Sequence, residues 1–225
     1  MKDLNAIGKK WGTDKVSGHN YARPYMTHLS QFENKAINLL EIGVGGESDP
    51  NVGGHSLRMW KEYFSKGHIF GIDIQNKSKF NEERIKIFKG DQTDGAFLNQ
   101  VCNEIGDIDV IIDDGSHINR HVITTFEILF PKLNDGGVYV IEDTQTSYWK
   151  PYGGCPDLNA KGTTMNYFKA LTDCMNNSEF PITGYQKSYY DKKIVSMHFY
   201  HNLIFIYKGD NLELSNTIVN NESIF

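Results

Sequence analysis

Short apolar runs alternate along the chain with longer stretches of helical period, and most of the runs end on acids or glycines. The runs at 37–42, 69–74, 85–88, 108–112 and 138–141 have the length and turn-residue boundaries of buried strands. Between them, Leu57, Trp60 and Phe64 behind Ser56 predict a helix. Phe97, Leu98 and Val101 behind the N-cap candidate Asp94 predict a second, and residues 118–133 a third. Strand–helix alternation of this kind predicts an α/β fold around a mostly parallel sheet. A helix near 164–175 and two further runs, 194–199 and 203–207, follow; the short turn between these runs predicts an antiparallel hairpin that brings the sheet to seven strands. Residues 1–34 read as an N-terminal helical segment. Residues 144–162, with Pro151, Gly153-Gly154 and Pro156 among aromatics, read as an active-site lid, since loops this long are usually functional. No repeat or linker divides the chain, so residues 1–225 are expected to form one domain. The polar, Asn-rich tail after Asp210 is expected to be loosely held.

Composition narrows the function. Lys+Arg 23 against Asp+Glu 28 gives a net charge of −5, which argues against a nucleic-acid binder, whose phosphate contacts normally require a basic surplus. Hydrophobic content of 39% and aromatic content of 12% belong to a folded globule. Cys102, Cys155 and Cys174 are odd in number and lack CxxC spacing, so a disulfide framework or zinc knuckle is not expected and a reducing cytoplasm is the default. No apolar h-region follows Met1, and no run approaches the ~20 residues of a membrane span.

The acids and glycines collect at the C-terminal ends of the first five strands, the edge where open α/β sheets bind ligands. Gly43-x-Gly45 lets backbone approach a ligand, although Ser48 stands where a dinucleotide fingerprint has its third glycine. A cofactor turn and an ordinary strand-to-helix bend have about even weight here. Glu41 before the turn could meet a cationic amine, and Asp73 could accept two ribose hydroxyls. Asp91-Gln92 has acceptor and amide groups suited to an adenine edge, or serves as a turn and cap. Asp113, Asp114 and His117, together with Glu142 and Asp143, are the sharpest cluster. Asp114, Glu142 and Asp143 would meet at one locus, and carboxylates without cysteine suit Mg²⁺ or Mn²⁺. Asp113 is grouped with the cofactor residues. His117 is the candidate general base, since an unperturbed imidazole titrates near ~6.5. His117 and His121 lack the glutamate of HExxH, and Ser116 lacks the G-x-S-x-G elbow. His198 and His201 read as surface or packing residues, and Tyr148, Trp149 and Tyr152 as a stacking lid or a buried seam.

Gly12-Thr13-Asp14-Lys15, Leu40-Glu41-Ile42-Gly43-Val44-Gly45-Gly46, Gly54-His55-Ser56-Leu57-Arg58-Met59-Trp60, Gly71-Ile72-Asp73, Gly90-Asp91-Gln92, Ile111-Ile112-Asp113-Asp114-Gly115-Ser116-His117 and Ile141-Glu142-Asp143 resemble the S-adenosylmethionine-dependent sugar O-methyltransferases of macrolide tailoring, the mycinamicin and macrocin type. The resemblance spans about residues 8–149, and residues 150–225 carry no motif that can be placed. It implies a Rossmann-like class I methyltransferase fold, with Mg²⁺ on Asp114, Glu142 and Asp143, His117 as base, and cofactor contacts from Glu41, Ser56 and Asp73. The acceptor would be a sugar hydroxyl on a small molecule or glycan, and homo-oligomerisation is left open. No room is expected for the large N-terminal auxiliary domain of some relatives. A nicotinamide oxidoreductase, a metal-dependent hydrolase and a silent nucleoside-binding module are the competing classes.

Overall fold

The structure, a computed structural model, describes residues 2–215 and the backbone of Ile218–Val219 and Glu222–Ser223. Seven strands form one sheet: β1 (Asn38–Ile42), β2 (His68–Asp73), β3 (Ile85–Lys89), β4 (Ile108–Asp113), β5 (Leu133–Glu142), β6 (Ile194–Tyr200) and β7 (Leu203–Lys208). Their order is β3-β2-β1-β4-β5-β7-β6. The first five are mutually parallel, and β7 runs antiparallel to both β5 and β6. The chain builds outward from β1 to β3, then returns to place β4 on the other side of β1. The strand order therefore reverses between β1 and β4, which opens a crevice at their C-terminal ends.

Alternation along the strands divides the core into two layers. Leu39, Val110, Ile112, Val138, Val140 and Phe205 face one side and pack with Trp60, Tyr63 and Phe64. That side also carries the N-terminal helices α1 (Leu4–Trp11), α2 (Asp14–Ser17) and α3 (Ala22–Leu29), and α4 (His55–Tyr63). Leu40, Ile111, Tyr139, Ile141 and Ile206 face the opposite side, under α5 (Gly95–Ile105), α6 (Asn119–Leu129) and α7 (Thr164–Leu171).

Several boundaries differ from the pattern read along the sequence, each for a local reason. The helix expected over 118–133 ends at Leu129 and tightens into a 3₁₀ turn over Phe130–Lys132, because Pro131 has no backbone N–H to continue it. β5 begins at Leu133 rather than 138. Asp135-Gly136-Gly137 reads as a turn into the strand but forms an irregularity within it, where the register to β4 shifts between Ile108 and Val110. The helix expected over 164–175 becomes 3₁₀ after Leu171, and a short α8 (Tyr189–Lys193) precedes β6. Residues 144–152 form two 3₁₀ turns tied down by Asn119, whose Nδ2 donates to the Thr146 and Tyr152 carbonyls at 3.1 and 2.8 Å. The tail after Asp210 is anchored at its root, where Asn211 Nδ2 donates to the Asp191 and Cys174 carbonyls. The rest of that tail lies largely outside the described residues.

His28 on α3 locks the N-terminal segment to the hairpin. Its ring stacks on Phe205 at 4.2 Å, and its two nitrogens meet the hydroxyls of Tyr207 and Tyr200 at 2.8 and 2.9 Å. Burial, with His198 4.6 Å away, pulls its pKa down to about 4. The unfolded chain would protonate this imidazole near pH 6.5, so its contribution is complete above that pH and lost as pH falls toward 4. A tenfold difference in proton affinity between the folded and unfolded chain corresponds to about 1.4 kcal/mol. Denaturant titrations of wild type and His28→Gln between pH 7 and 4 are expected to show a shallower acid loss in the variant; equal slopes would remove His28 from the acid response.

Candidate active site

Strand parity brings the acids together. Glu41 shares the parity of Leu39, Asp114 that of Val110 and Ile112, and Glu142 that of Val138 and Val140, so all three emerge on the face covered by the N-terminal helices. The segment Gly12-Thr13-Asp14-Lys15 supplies what meets them. Gly12 ends α1 in the left-handed conformation at φ 70°, and the Thr13 hydroxyl caps α2, which turns Lys15 inward. Lys15 is 1% exposed, and its Nζ lies 2.6 Å from Asp114 Oδ2, 2.7 Å from Glu142 Oε1 and 3.1 Å from Glu41 Oε1. The Tyr25 hydroxyl also donates to Glu142 Oε1. Burial alone would lower the Lys15 pKa, but Asp114, Glu142 and Glu41 together hold it well above the ordinary value. Burial raises Glu142, with the Asp114 charge adding to it, and pushes Glu41 up to about 7 despite Lys15.

In front of this buried ion cluster lies a more open set. One donor atom each of Asp114, His117 and Asp143 lies within 4.8 Å of the other two. His117 Nε2 is 3.8 Å from Asp114 Oδ1 and 3.8 Å from Asp143 Oδ2. His117 and Asp143 both have left-handed backbones, at φ 55° and 54°. Such conformations cost energy in non-glycine residues and collect at functional sites. Two carboxylates and an imidazole with room between them fit a divalent cation that takes oxygen and nitrogen ligands. Glu142 stands at the same locus, but one of its oxygens is held by Lys15 and Tyr25. The grouping in the structure thus exchanges Glu142 for His117 relative to the three-acid set expected from sequence.

The crevice itself is a cavity of about 810 Å³, lined by the β1 and β2 ends, the turn after β4 and Asp143. Gly43, Gly45, Asp73, Asp91, Gln92, Asp114, His117 and Asp143 contribute to its wall. Gly43 is required there, because at φ 89° a side chain would collide with the Asp114 carbonyl across the switch point. Asp73 accepts the Val44 N–H at 3.0 Å and the Gln75 N–H at 2.7 Å, one on each oxygen. Its remaining lone pairs suit hydroxyl donors. Asp91 Oδ1 takes the Thr93 N–H and hydroxyl, and Oδ2 remains for a ligand.

Two expected cofactor residues sit differently. Gln92 Nε2 donates to Asp113 Oδ1 at 3.3 Å and Thr125 Oγ1 at 3.0 Å, while its Oε1 accepts the Ser116 N–H at 2.8 Å. Its amide is engaged within the protein, where it shapes the Ser116 turn, while the residue still lines the cavity. Asp113 has the opposite parity to Asp114, is 1% exposed and does not line the cavity; burial pushes its carboxyl up to about 7. It braces Gln92 from behind. Glu41 and Ser56 also lie behind the glycine turn, buried and outside the cavity wall.

Lys15, Tyr21 and Tyr25 carry no site assignment from sequence, yet all three reach the acids. Tyr21 donates its hydroxyl to Asp143 Oδ1 at 2.7 Å. The signal available for Lys15 was its place in the Gly-Thr-Asp-Lys motif; the tyrosines had none.

No known family profile matches the chain. Its sequence is 43% identical over 209 residues to the 8-demethyl-8-alpha-L-rhamnosyl tetracenomycin-C 2'-O-methyltransferase of Streptomyces olivaceus, covering 92% of this chain and 55% of that protein. It is 42% identical over 214 residues to the mycinamicin VI 2''-O-methyltransferase of Micromonospora griseorubida, covering 94% and 54%. The chain thus spans about half the length of the curated relatives it matches, and the similarity runs well past residue 149, where the motifs stop. The fold superimposes with a TM-score of 0.93, at 41% identity, on the structure of MycE methyltransferase from the mycinamycin biosynthetic pathway in complex with Mg and SAH, covering 98% of this chain and 58% of that one.

Proposed function

We propose that this chain, which belongs to the family of mycinamicin- and macrocin-type sugar O-methyltransferases, transfers the methyl group of S-adenosylmethionine to a sugar hydroxyl of a glycosylated natural product with the help of Mg²⁺. The observation that carries the reading is the single cavity wall on which Asp73 and the Asp114–His117–Asp143 set both open. Asp73 is suited to hold ribose hydroxyls at one end. Glu41, buried outside the cavity wall and paired with Lys15, backs the glycine turn. When bound, the sulfonium cofactor brings an activated methyl group, and a divalent cation lowers the pKa of a hydroxyl it contacts. Asp114 and Asp143 would hold that cation, with Glu142 beside them. Lys15 keeps the Asp114 and Glu142 carboxylates fixed at adjacent strand ends. His117 Nε2, facing the same space, would receive the hydroxyl proton. The work of the remaining residues is alignment, since positioning donor and acceptor accounts for much of such a barrier.

The excess of acids over bases gives no support to a nucleic-acid partner, and no helix among the described residues is long and apolar enough to cross a membrane. The test is direct. Incubated with methyl-labelled S-adenosylmethionine and a vicinal-diol glycoside such as methyl α-L-rhamnopyranoside, the protein is expected to transfer label, to stop in EDTA and to resume with Mg²⁺. Calorimetry is expected to show binding of S-adenosylmethionine and none of NAD⁺. Transfer that persists in chelator would overturn the cation assignment, and absence of S-adenosylmethionine binding would overturn the whole reading.

A further inference from the structure

Part of the large cavity's wall is a short loop, residues 46–53, on the way from β1 to α4. Gly46, Glu47, Ser48, Asp49 and Val52 of this loop all line the cavity. Lys77 touches the loop but is not part of that wall. We propose that Lys77 is a positioning residue: it latches the loop in its cofactor-binding conformation, and so sets S-adenosylmethionine affinity without taking part in methyl transfer. This rests on the methyl-transfer reading above.

The loop is closed at its root but carries little that would hold its tip. The Gly54 N–H donates to the Val44 carbonyl at 2.7 Å, which draws the two ends together as in a compact Ω-loop. Beyond that root the sequence is polar, Glu-Ser-Asp-Pro-Asn over 47–51, and all of these residues are exposed. Val52 is itself 46% exposed, so no buried apolar side chain fixes the tip against the sheet.

Lys77 does this instead. It is 0% exposed, and its Nζ donates to the Asp49 carbonyl at 2.5 Å and the Val52 carbonyl at 2.7 Å. Among the described residues these two carbonyls are its hydrogen-bond partners, and it forms no ion pair. A buried ammonium is costly unless hydrogen-bonded, and bonds from a charged donor are the strong ones, so ammonium and loop hold each other in place. The Val52 carbonyl is fixed from a second side by Gly46, where an added Cβ would come within 2.3 Å of it. Lys77 also follows Asp73 in the connection after β2, and Asp73 accepts the Val44 N–H at 3.0 Å and the Gln75 N–H at 2.7 Å. The root and the tip of the loop are thus both tied to the segment that begins at the candidate ribose carboxylate. When a binding-competent conformation is only partly populated, apparent affinity falls by that fraction, while the complex once formed is unchanged.

The experiment removes the donor and keeps the stem. Lys77→Met is expected to raise the calorimetric Kd and the KM for S-adenosylmethionine about tenfold, as when the closed loop falls to about a tenth of the population. At saturating cofactor and acceptor, kcat is expected to stay within twofold of wild type. S-adenosylhomocysteine is expected to weaken by the same factor, because a latch does not distinguish a sulfonium from a thioether. Loss of a positive charge acting through space would instead favour the cationic cofactor over its neutral-sulfur product. Lys79→Met is the control, since exposed Lys79 reaches the same loop only through the Asn51 side chain, at 2.6 Å; its Kd is expected within twofold of wild type. Gly46→Ala, which displaces the Val52 carbonyl from the other side, is expected to raise the same Kd, and the double variant to show less than the combined effect. A folded Lys77→Met with Kd within twofold of wild type, a fall in kcat without a rise in KM, or unequal effects on the two ligands would overturn the latch. Should Lys77→Met fail to fold, an unchanged Kd in Gly46→Ala would overturn it. Wild type that binds no S-adenosylmethionine would reject the underlying reading, whereas wild-type binding that Lys77→Met retains would reject the latch alone.

Discussion

Lys15→Met is expected to destabilise the protein by about 3–5 kcal/mol, the usual cost of removing one partner from a buried ion pair. Glu41 and Glu142 are 0% and 3% exposed, and Lys15 is the cation within ion-pairing distance of both. Methionine preserves much of the stem's volume, so the loss measures charge rather than packing. Without the ammonium, these carboxylates must either stay charged in a poorly solvated cluster or take up protons, and both alternatives cost free energy. Adding Glu142→Gln to Lys15→Met is expected to recover part of the loss, because one of the stranded charges is then gone. Urea unfolding of the two variants and wild type would decide it. A loss under about 1 kcal/mol for Lys15→Met would show that water or rearrangement replaces the lysine, at odds with a buried charge cluster.

Replacing His117 is expected to have the largest effect on turnover. A general base contributes about 10²–10⁴-fold, so His117→Asn should lose turnover on that scale with little change in S-adenosylmethionine affinity. Asparagine is the appropriate replacement because it tolerates the left-handed backbone at φ 55° better than alanine does. Two roles are open to this imidazole in the structure, since its Nε2 lies 3.8 Å from both Asp114 and Asp143 and could join them around a cation. Mg²⁺ titration separates them. A base leaves the Mg²⁺ dependence of turnover where it was, whereas a ligand shifts it to higher concentration. Turnover within a few-fold of wild type at saturating Mg²⁺ would assign the proton to another acceptor.

The sheet and the position of its reactive edge were legible in the chain because both follow from local rules. Buried strands are short apolar runs, and in an α/β fold the residues that end them meet at one edge. Asp73, Asp114, His117 and Asp143 could be assigned to that edge from sequence alone, and the structure places all four on the cavity wall. The period of two also implies that Asp113 and Asp114 face opposite sides. Which side holds the cavity, however, is set by the helices that cover each face. Asp113 therefore braces Gln92 while Asp114 reaches the open site. Local rules blurred where two signals met: the Asp-Gly-Gly sequence at 135–137 looks like a turn, and the pairing of Leu133 and Val138 with β4 on either side of it makes it an irregularity within β5.

Only the tertiary structure decided the partners of the acids. Lys15 meets Asp114 and Glu142 across 99 and 127 residues of sequence, and Tyr21 meets Asp143 across 122. A buried lysine and a tyrosine beside a carboxylate leave no periodic trace, because their positions depend on how the N-terminal segment packs over the sheet. Strand periodicity places groups along one edge; long-range packing selects which charges face each other there, and thereby which carboxylates stay buried with Lys15 and which remain open to a ligand.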